Sequence, residues 1–470
     1  MKTKLLIFAL ACSLVATSSS MAQHARKLPA GAYLKSAKIQ IVSGDLNRYP
    51  LAIAMLDSLQ MYYGYHSEAL FLLGQMEVDY IEHQSGPDTK RPYVEGMVAY
   101  FDTLDWACDK NNKEVDNKNK KDCKDYTARA DSIKSLYWQK FYNDGVEQLR
   151  LVEEDKKELE GETDSTAIDF MKKSLAANVD SCILNMKLAI LVNPNDHRPY
   201  IGAGQAYEGQ QKYEEANKML EDGLSRVQGD ARLTLLLPIA YNYTSMGNYC
   251  KAADYMQQWV DSASTDDPNL VATMGNLAIC YNNCGNFDKA FAVNQKVLSI
   301  DSNNTAALTN IVRYFNQMAS DASKSATKYQ TEDSAAPNAK EEVKKYSALR
   351  RRLFDSSLVY SKRAFILDSN NASVVEDYAL AAALTDNYDQ AAVAFGKLVE
   401  LKPDDAKGWV SLGDVNLYLK KFPDAIKAYE KAVELQPDRK DIWQQLVDLY
   451  ENEGMAKKKA AAQKKLQALK

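Results

Sequence analysis

The sequence predicts an all-α chain, a solenoid in which antiparallel helix pairs stack one on the next. Three observations predict it. Near the C-terminus Pro403 and Trp409 recur as Pro437 and Trp443, an echo of 34 residues. An aromatic residue followed three places later by alanine occurs at Tyr49–Ala52, Tyr213–Ala216, Tyr249–Ala252, Phe287–Ala290, Tyr388–Ala391 and Phe422–Ala425, with a turn residue just before it in Gly247-Asn248 and Gly285-Asn286. The composition, 46% hydrophobic and 26% charged, is that of a folded chain rather than a disordered one. At 470 residues the chain is too long for one core. A repeat array escapes that bound, because each unit buries its face on its neighbours.

Taken from the N-terminus, residues 1–22 read as a secretory leader. Lys2 and Lys4 give the positive start, Leu5 to Val15 the apolar run, and Ser20-Met21-Ala22 a small-x-small exit. That run is well short of the roughly 20 residues a bilayer span needs, and no later segment reads as apolar enough to span. The mature chain is therefore expected to be exported, periplasmic or secreted, without a transmembrane segment. The formal net charge is −5, and loss of Lys2 and Lys4 makes it more acidic. Such a balance gives no electrostatic case for nucleic acid. Only the last helix is basic, with Lys457, Lys458, Lys459, Lys464, Lys465 and Lys470 forming a solvated cap.

Within each pair, the aromatic plugs the turn, and the alanine sits where the second helix passes too close to the first for a larger side chain. Pro50 and Pro423 follow the aromatic at the helix start, where the missing donor costs nothing. Residues 406–439 carry Trp409, Leu412, Gly413, Ala425, Tyr429, Ala432 and Pro437. Residues 372–405 carry Tyr378, Ala379, Ala391, Phe395 and Pro403, and residues 271–304 carry Leu277, Ala278, Tyr281 and Ala290. Looser units at 197–232 and 233–270 keep Ala216 and Ala252.

These residues resemble the tetratricopeptide repeat family. The resemblance implies a right-handed superhelix of helix pairs, firm from residue 197 onward and weaker before it. Divergent helices would fill 23–137, with a charged loop at 108–123. A divergent repeat with an insertion follows at 138–196, central units at 197–304, a repeat with insertion 320–347 at 305–371, two well-matched units at 372–439, and capping helices at 440–470. The insertions, at Gln84–Pro92, Glu153–Ser165 and 320–347, all fall at intra-repeat turns and so project from one edge. Their composition reads first as flexible lengthening, with a coiled-coil-like extension as the alternative.

Cys108 and Cys123 flank a charged loop whose one apolar residue is Val115. A bridge there removes unfolded-state entropy worth about 3 kcal/mol, so this is the expected disulfide. Cys250 and Cys284 lie on the same edge of successive repeats and offer a second pairing. Cys182 and Cys280 read as small buried hydrophobes.

Nothing in the sequence assembles an active site. The four histidines (His24, His66, His83, His197) are scattered without HExxH or CxxC company. The S-x-x-K at Ser325–Lys328 lacks its partner motifs, and no phosphate-binding glycine loop occurs. No enzyme activity, metal or cofactor is expected. What the resemblance does imply is a binding groove lined by set positions of each first helix. Those positions hold Tyr241 in one unit, Asn276, Ile279 and Asn283 in the next, and Asn310, Arg313, Asn316 and Gln317 in the one after. Amides both donate and accept, and so grip a peptide backbone whatever its sequence. The expected function is a non-enzymatic scaffold holding an extended protein segment, in an envelope or secretion assembly. A carbohydrate- or cell-wall-binding protein using the same Asn/Tyr surface is the alternative. The paired basic residues that hold a C-terminal carboxylate in some members are missing, since Arg313 stands alone.

Overall fold

The computed structural model describes residues 27–109, 112–116, 120, 122–334 and 336–469. The leader expected at 1–22, His24 and Lys470 lie outside the described residues. Twenty α-helices and no strands occur among those described, and the chain divides into two compact units, one ending at Asn248 and one beginning at Tyr249.

The first unit contains α1 (Ala30–Ile41), α2 (Tyr49–Tyr63), α3 (Ser67–Glu82), α4 (Pro87–Cys108), α5 (Cys123–Gly161), α6 (Ser165–Val192), α7 (Arg198–Gly209), α8 (Tyr213–Arg226) and α9 (Leu236–Ser245). The second contains α10 (Tyr249–Ser262), α11 (Leu270–Asn283), α12 (Phe287–Ile300), α13 (Thr305–Thr331), α14 (Ala339–Leu367), α15 (Ala372–Leu384), α16 (Tyr388–Leu401), α17 (Ala406–Tyr418), α18 (Phe422–Leu435), α19 (Lys440–Asn452) and α20 (Ala456–Ala468). Each aromatic of the aromatic-x-x-alanine signal is the first residue of a helix: α2, α8, α10, α12, α16 and α18.

One closure recurs at the turns. The N–H of Lys212 bonds the Tyr207 carbonyl at 3.0 Å, and the same five-residue span is closed from Asn286 to Tyr281, Asn387 to Ala382 and Lys421 to Asn416, each at 2.8 Å. The residue before each donor is left-handed: Gln211 (φ 59°), Gly285 (78°), Asp386 (59°) and Lys420 (57°). This is the Schellman end, which satisfies carbonyls that the helix leaves orphaned.

Two side-chain devices explain the rest of the repeat. Trp409 Nε1 donates to the Pro403 carbonyl and Trp443 Nε1 to that of Pro437, both at 2.8 Å. In the first unit Tyr200 OH does the same to Pro194 at 2.9 Å. The echo is therefore a ring that pins each first helix to the close of the preceding repeat. The second device is a missing side chain. A Cβ on Gly413 would lie 2.5 Å from the Tyr429 ring, one on Gly204 3.1 Å from Leu220, and one on Gly74 2.3 Å from Phe101. Glycine there lets the two helices of a pair close on a large residue. At the crossings Ala216, Ala252, Ala391 and Ala425 are 0% exposed, and Ala290 and Ala432 1%.

The structure corrects several sequence expectations. Insertion 320–347 is mostly helix: α13 continues to Thr331 and α14 already begins at Ala339. Their seam is built from buried Ala319, Ala322, Ala326 and Ala339, and Tyr329 stacks on Tyr346 at 6.1 Å. The insertion near 153–165 likewise lengthens α5 and α6, leaving a short turn. The helix expected from residue 138 starts at Cys123. Finally, α6 is long and apolar enough to cross a membrane by length and composition, contrary to the reading that no later segment is. Here it packs within the first unit, with Val179, Cys182, Ile183, Met186 and Leu188 buried.

Disulfides join Cys108 to Cys123, linking the ends of α4 and α5, and Cys250 to Cys284, linking the start of α10 to the end of α11. Cys182 and Cys280 are free and buried.

Candidate functional site

In the second unit, the first helices of successive pairs, α11, α13 and α15, are neighbours in space. The residues they do not bury against second helices make up one face. On α11, Asn276 and Asn283 are exposed and make no side-chain hydrogen bond among the described residues, and Ile279 is 49% exposed.

On α13 the amides are partly committed. Asn310 donates to the Asn294 side-chain oxygen at 3.4 Å, and buried Asn294 donates in turn to the Ala290 carbonyl at 2.8 Å. Asn316 accepts from the buried Ser357 hydroxyl at 2.8 Å, and Gln317 donates to Asp321 at 3.1 Å. Each keeps the other half of its amide for a ligand. Internal bonding also holds these side chains in one rotamer, which lowers the entropy cost of binding. Tyr241 lies on α9 in the first unit, 43% exposed; it belongs to a different unit from the amides.

Arg313 is exposed on α13. Across from it on α15 is Asp377, a half-buried carboxylate that sequence reading passed over. Among the described residues it has no hydrogen bond and no ion pair within 4 Å. Burial pushes its carboxyl up to about 6, the positive charge of Arg313 opposes that shift, and Glu376 adds to it. Leu380 and Leu384, 41% and 49% exposed, continue the same α15 stripe three and seven residues on. On α17, Asp414 accepts the Tyr429 hydroxyl at 2.6 Å, and Tyr418, 67% exposed, stacks on Tyr388 at 4.8 Å. The signal for Asp377, Leu380 and Leu384 was present in the sequence: they occupy the same first-helix positions one repeat further on.

No group of three or more His, Cys, Asp or Glu residues is placed to hold a metal among the described residues.

Residues 406–439 match the tetratricopeptide repeat family. That stretch is one tetratricopeptide repeat. Searched against curated proteins, the chain finds no match. Among solved structures it is similar to MamA from Desulfovibrio magneticus RS-1, at 17% identity over 45% of this chain and 98% of that one, TM-score 0.33. It is similar to the C-terminal part of a TPR repeat-containing protein from Cytophaga hutchinsonii, at 17% identity over 57% and 93%, TM-score 0.39. A third is YrrB, described as a TPR protein with an unusual peptide-binding site, at 15% identity over 50% and 97%, TM-score 0.34.

The chain departs from this matched repeat at Asn294. That residue stands where Phe395 and Tyr429 fill the later repeats, and it converts a core contact into the support of Asn310.

Proposed function

We propose that the protein is an exported, non-enzymatic scaffold that holds an extended protein segment along the first-helix face of its second unit. One observation carries the reading. Unpaired donors and acceptors (Asn276, Asn283, Arg313, Asp377) share that face with exposed aliphatic side chains (Ile279, Leu380, Leu384). Amides with spare capacity meet a peptide backbone, and the aliphatic positions select side chains. Export is supported by the leader pattern in residues 1–22 and by two disulfides, which persist in oxidising compartments.

Selection of a phage-displayed random dodecapeptide library on the immobilised chain tests the binding. Selected peptides should lose affinity at least tenfold for the Asn276→Ala/Asn310→Ala/Arg313→Ala variant, with helical circular dichroism unchanged. Unchanged affinity in a folded variant removes this face from the function. Fractionation of expressing cells with thiol labelling tests export: a reduced chain retained in the cytoplasm contradicts it.

A further inference from the structure

The α5–α6 hairpin carries its last turns out of the core. Val152 and Val179 at its base are buried, and from Glu153 to Asn178 no residue is. Residues 158–169, which turn from one helix into the other, hold five acids and no base: Glu158, Glu160, Glu162, Asp164 and Asp169. None of the five has an ion pair within 4 Å among the described residues. The paired bases at the foot of the hairpin, Arg150 and Lys156, are taken by Glu147, Glu154 and Glu153. Lys157, Lys172 and Lys173 flank the acidic segment without entering it. Beside it on α6 stands Phe170, 74% exposed, which adds little to the packing of the hairpin itself.

α14 has the opposite character. Residues 343–352 hold Lys344, Lys345, Arg350, Arg351 and Arg352 and no acid. Lys345, Leu349 and Arg352, spaced by four and three, share one helical face, and all three are exposed. Val359 and Ile366, 58% and 71% exposed, continue that face, with Lys362 beside them. Its acids are Glu341 and Asp355. Lys345 pairs with Glu342 at 3.0 Å, and Arg351 with Asp355 and Asp386. Lys344, Arg352 and Lys362 have no ion pair within 4 Å among the described residues. From Lys344 to Ile366 the stripe is about 33 Å long, ample for a two-helix tip whose axes lie about 10 Å apart.

We propose that these two surfaces join one copy of the chain to another. The acidic hairpin tip of one copy docks across α14 of the next, with Phe170 against Leu349 and the tip carboxylates against Lys344, Lys345 and Arg352. The chain thus carries both halves of a complementary pair. The apolar contact matters because exposed ion pairs alone contribute little. The two patches differ, so the contact is heterologous; it closes into a ring, of two copies or more, or runs on as a chain. α14 is a second helix, so this contact does not use the first-helix face.

Sedimentation equilibrium of the full chain tests it. Charge attraction reaches about 20 Å at about 25 mM salt and about 4 Å at about 500 mM. The average mass should therefore rise with concentration above that of one chain at the low salt, and association should weaken at least tenfold at the high. Glu158→Lys/Glu160→Lys/Asp169→Lys and Lys344→Glu/Arg352→Glu/Lys362→Glu should each associate at least tenfold more weakly than the parent, with circular dichroism unchanged. Mixed in equal amounts, the two variants should associate again, because each then meets opposite charge at both contacts. Mixing cannot rescue a chain that has merely lost its fold. Phe170→Ser should weaken the low-salt association at least tenfold. A parent that stays a single chain at low salt overturns the proposal, whether the tip then meets α14 of its own chain or a different protein. So do folded variants that associate like the parent, or that stay apart when mixed.

Discussion

Gly413→Ala is the sharpest probe of the packing that creates the binding face. The new methyl would sit 2.5, 2.6 and 2.9 Å from three carbons of the Tyr429 ring. That ring cannot swing aside, since Tyr429 is 0% exposed and its hydroxyl is held by Asp414. α17 and α18 must therefore separate. Overpacking of this kind costs about 1–3 kcal/mol, against a gain of about 1 kcal/mol from alanine in a helix, and disturbing the Tyr429–Asp414 bond adds about 1 kcal/mol. The net expectation is a loss of about 2 kcal/mol. Gly396→Ala on α16 is the matched control: its Cβ meets nothing within 4 Å, so it should gain about 0.5–1 kcal/mol. Urea denaturation followed by circular dichroism, with hydrogen exchange of α17 and α18 to localise the effect, reads both. If Gly413→Ala is as stable as the parent, or both substitutions move stability in the same direction, the close-approach argument is wrong.

Three further outcomes are expected. Burial raises the Glu77 carboxyl to about 7 from 4.5; the native state thus holds its proton over a window where the unfolded state has released it. Stability should fall as pH rises from 4.5 to 7, and Glu77→Gln should exceed the parent by at most about 3 kcal/mol at pH 8 and match it at pH 4 in denaturant titrations. The Cys250–Cys284 bridge closes 34 residues, so the Cys250→Ser/Cys284→Ser protein should lose up to about 4 kcal/mol, seen as a lower Tm that a reducing agent, acting only on Cys108–Cys123, lowers less than it lowers the parent's. Gln211→Gly and Lys420→Gly place glycine where φ is 59° and 57°; each should raise the unfolding free energy by about 0.5–1 kcal/mol, read from denaturant titrations.

The fold was legible where its physics lies in large or special residues. An aromatic starting the second helix, an alanine at the crossing and the hydrogen bond from Trp to the Pro carbonyl each leave a letter at a fixed spacing. The extensions of α13 and α14 were not legible, because their seam is made of alanines, which among Ser, Lys, Thr and Glu read as low complexity. The beginning of α5 was hidden in a charged stretch for the same reason. The apolarity of α6 was overlooked because Lys172, Lys173 and Asp180 interrupt it. At the site, positional reading found the residues of α11 and α13. It did not reveal that Asn310 and Asn316 are already hydrogen-bonded, since Asn294 and Ser357 lie on second helices 16 and 41 residues away. Asp377 carries no motif; its burial without a partner is a property of three dimensions.

Photocrosslinking tests the binding face most directly. With p-benzoylphenylalanine at Ile279 or Leu380, a peptide selected on the parent chain should crosslink in high yield. With the same group at Val393, 69% exposed on the second helix α16, it should not. Crosslinking at Val393 that equals or exceeds that at Ile279 and Leu380 would place the ligand on another surface and contradict the account.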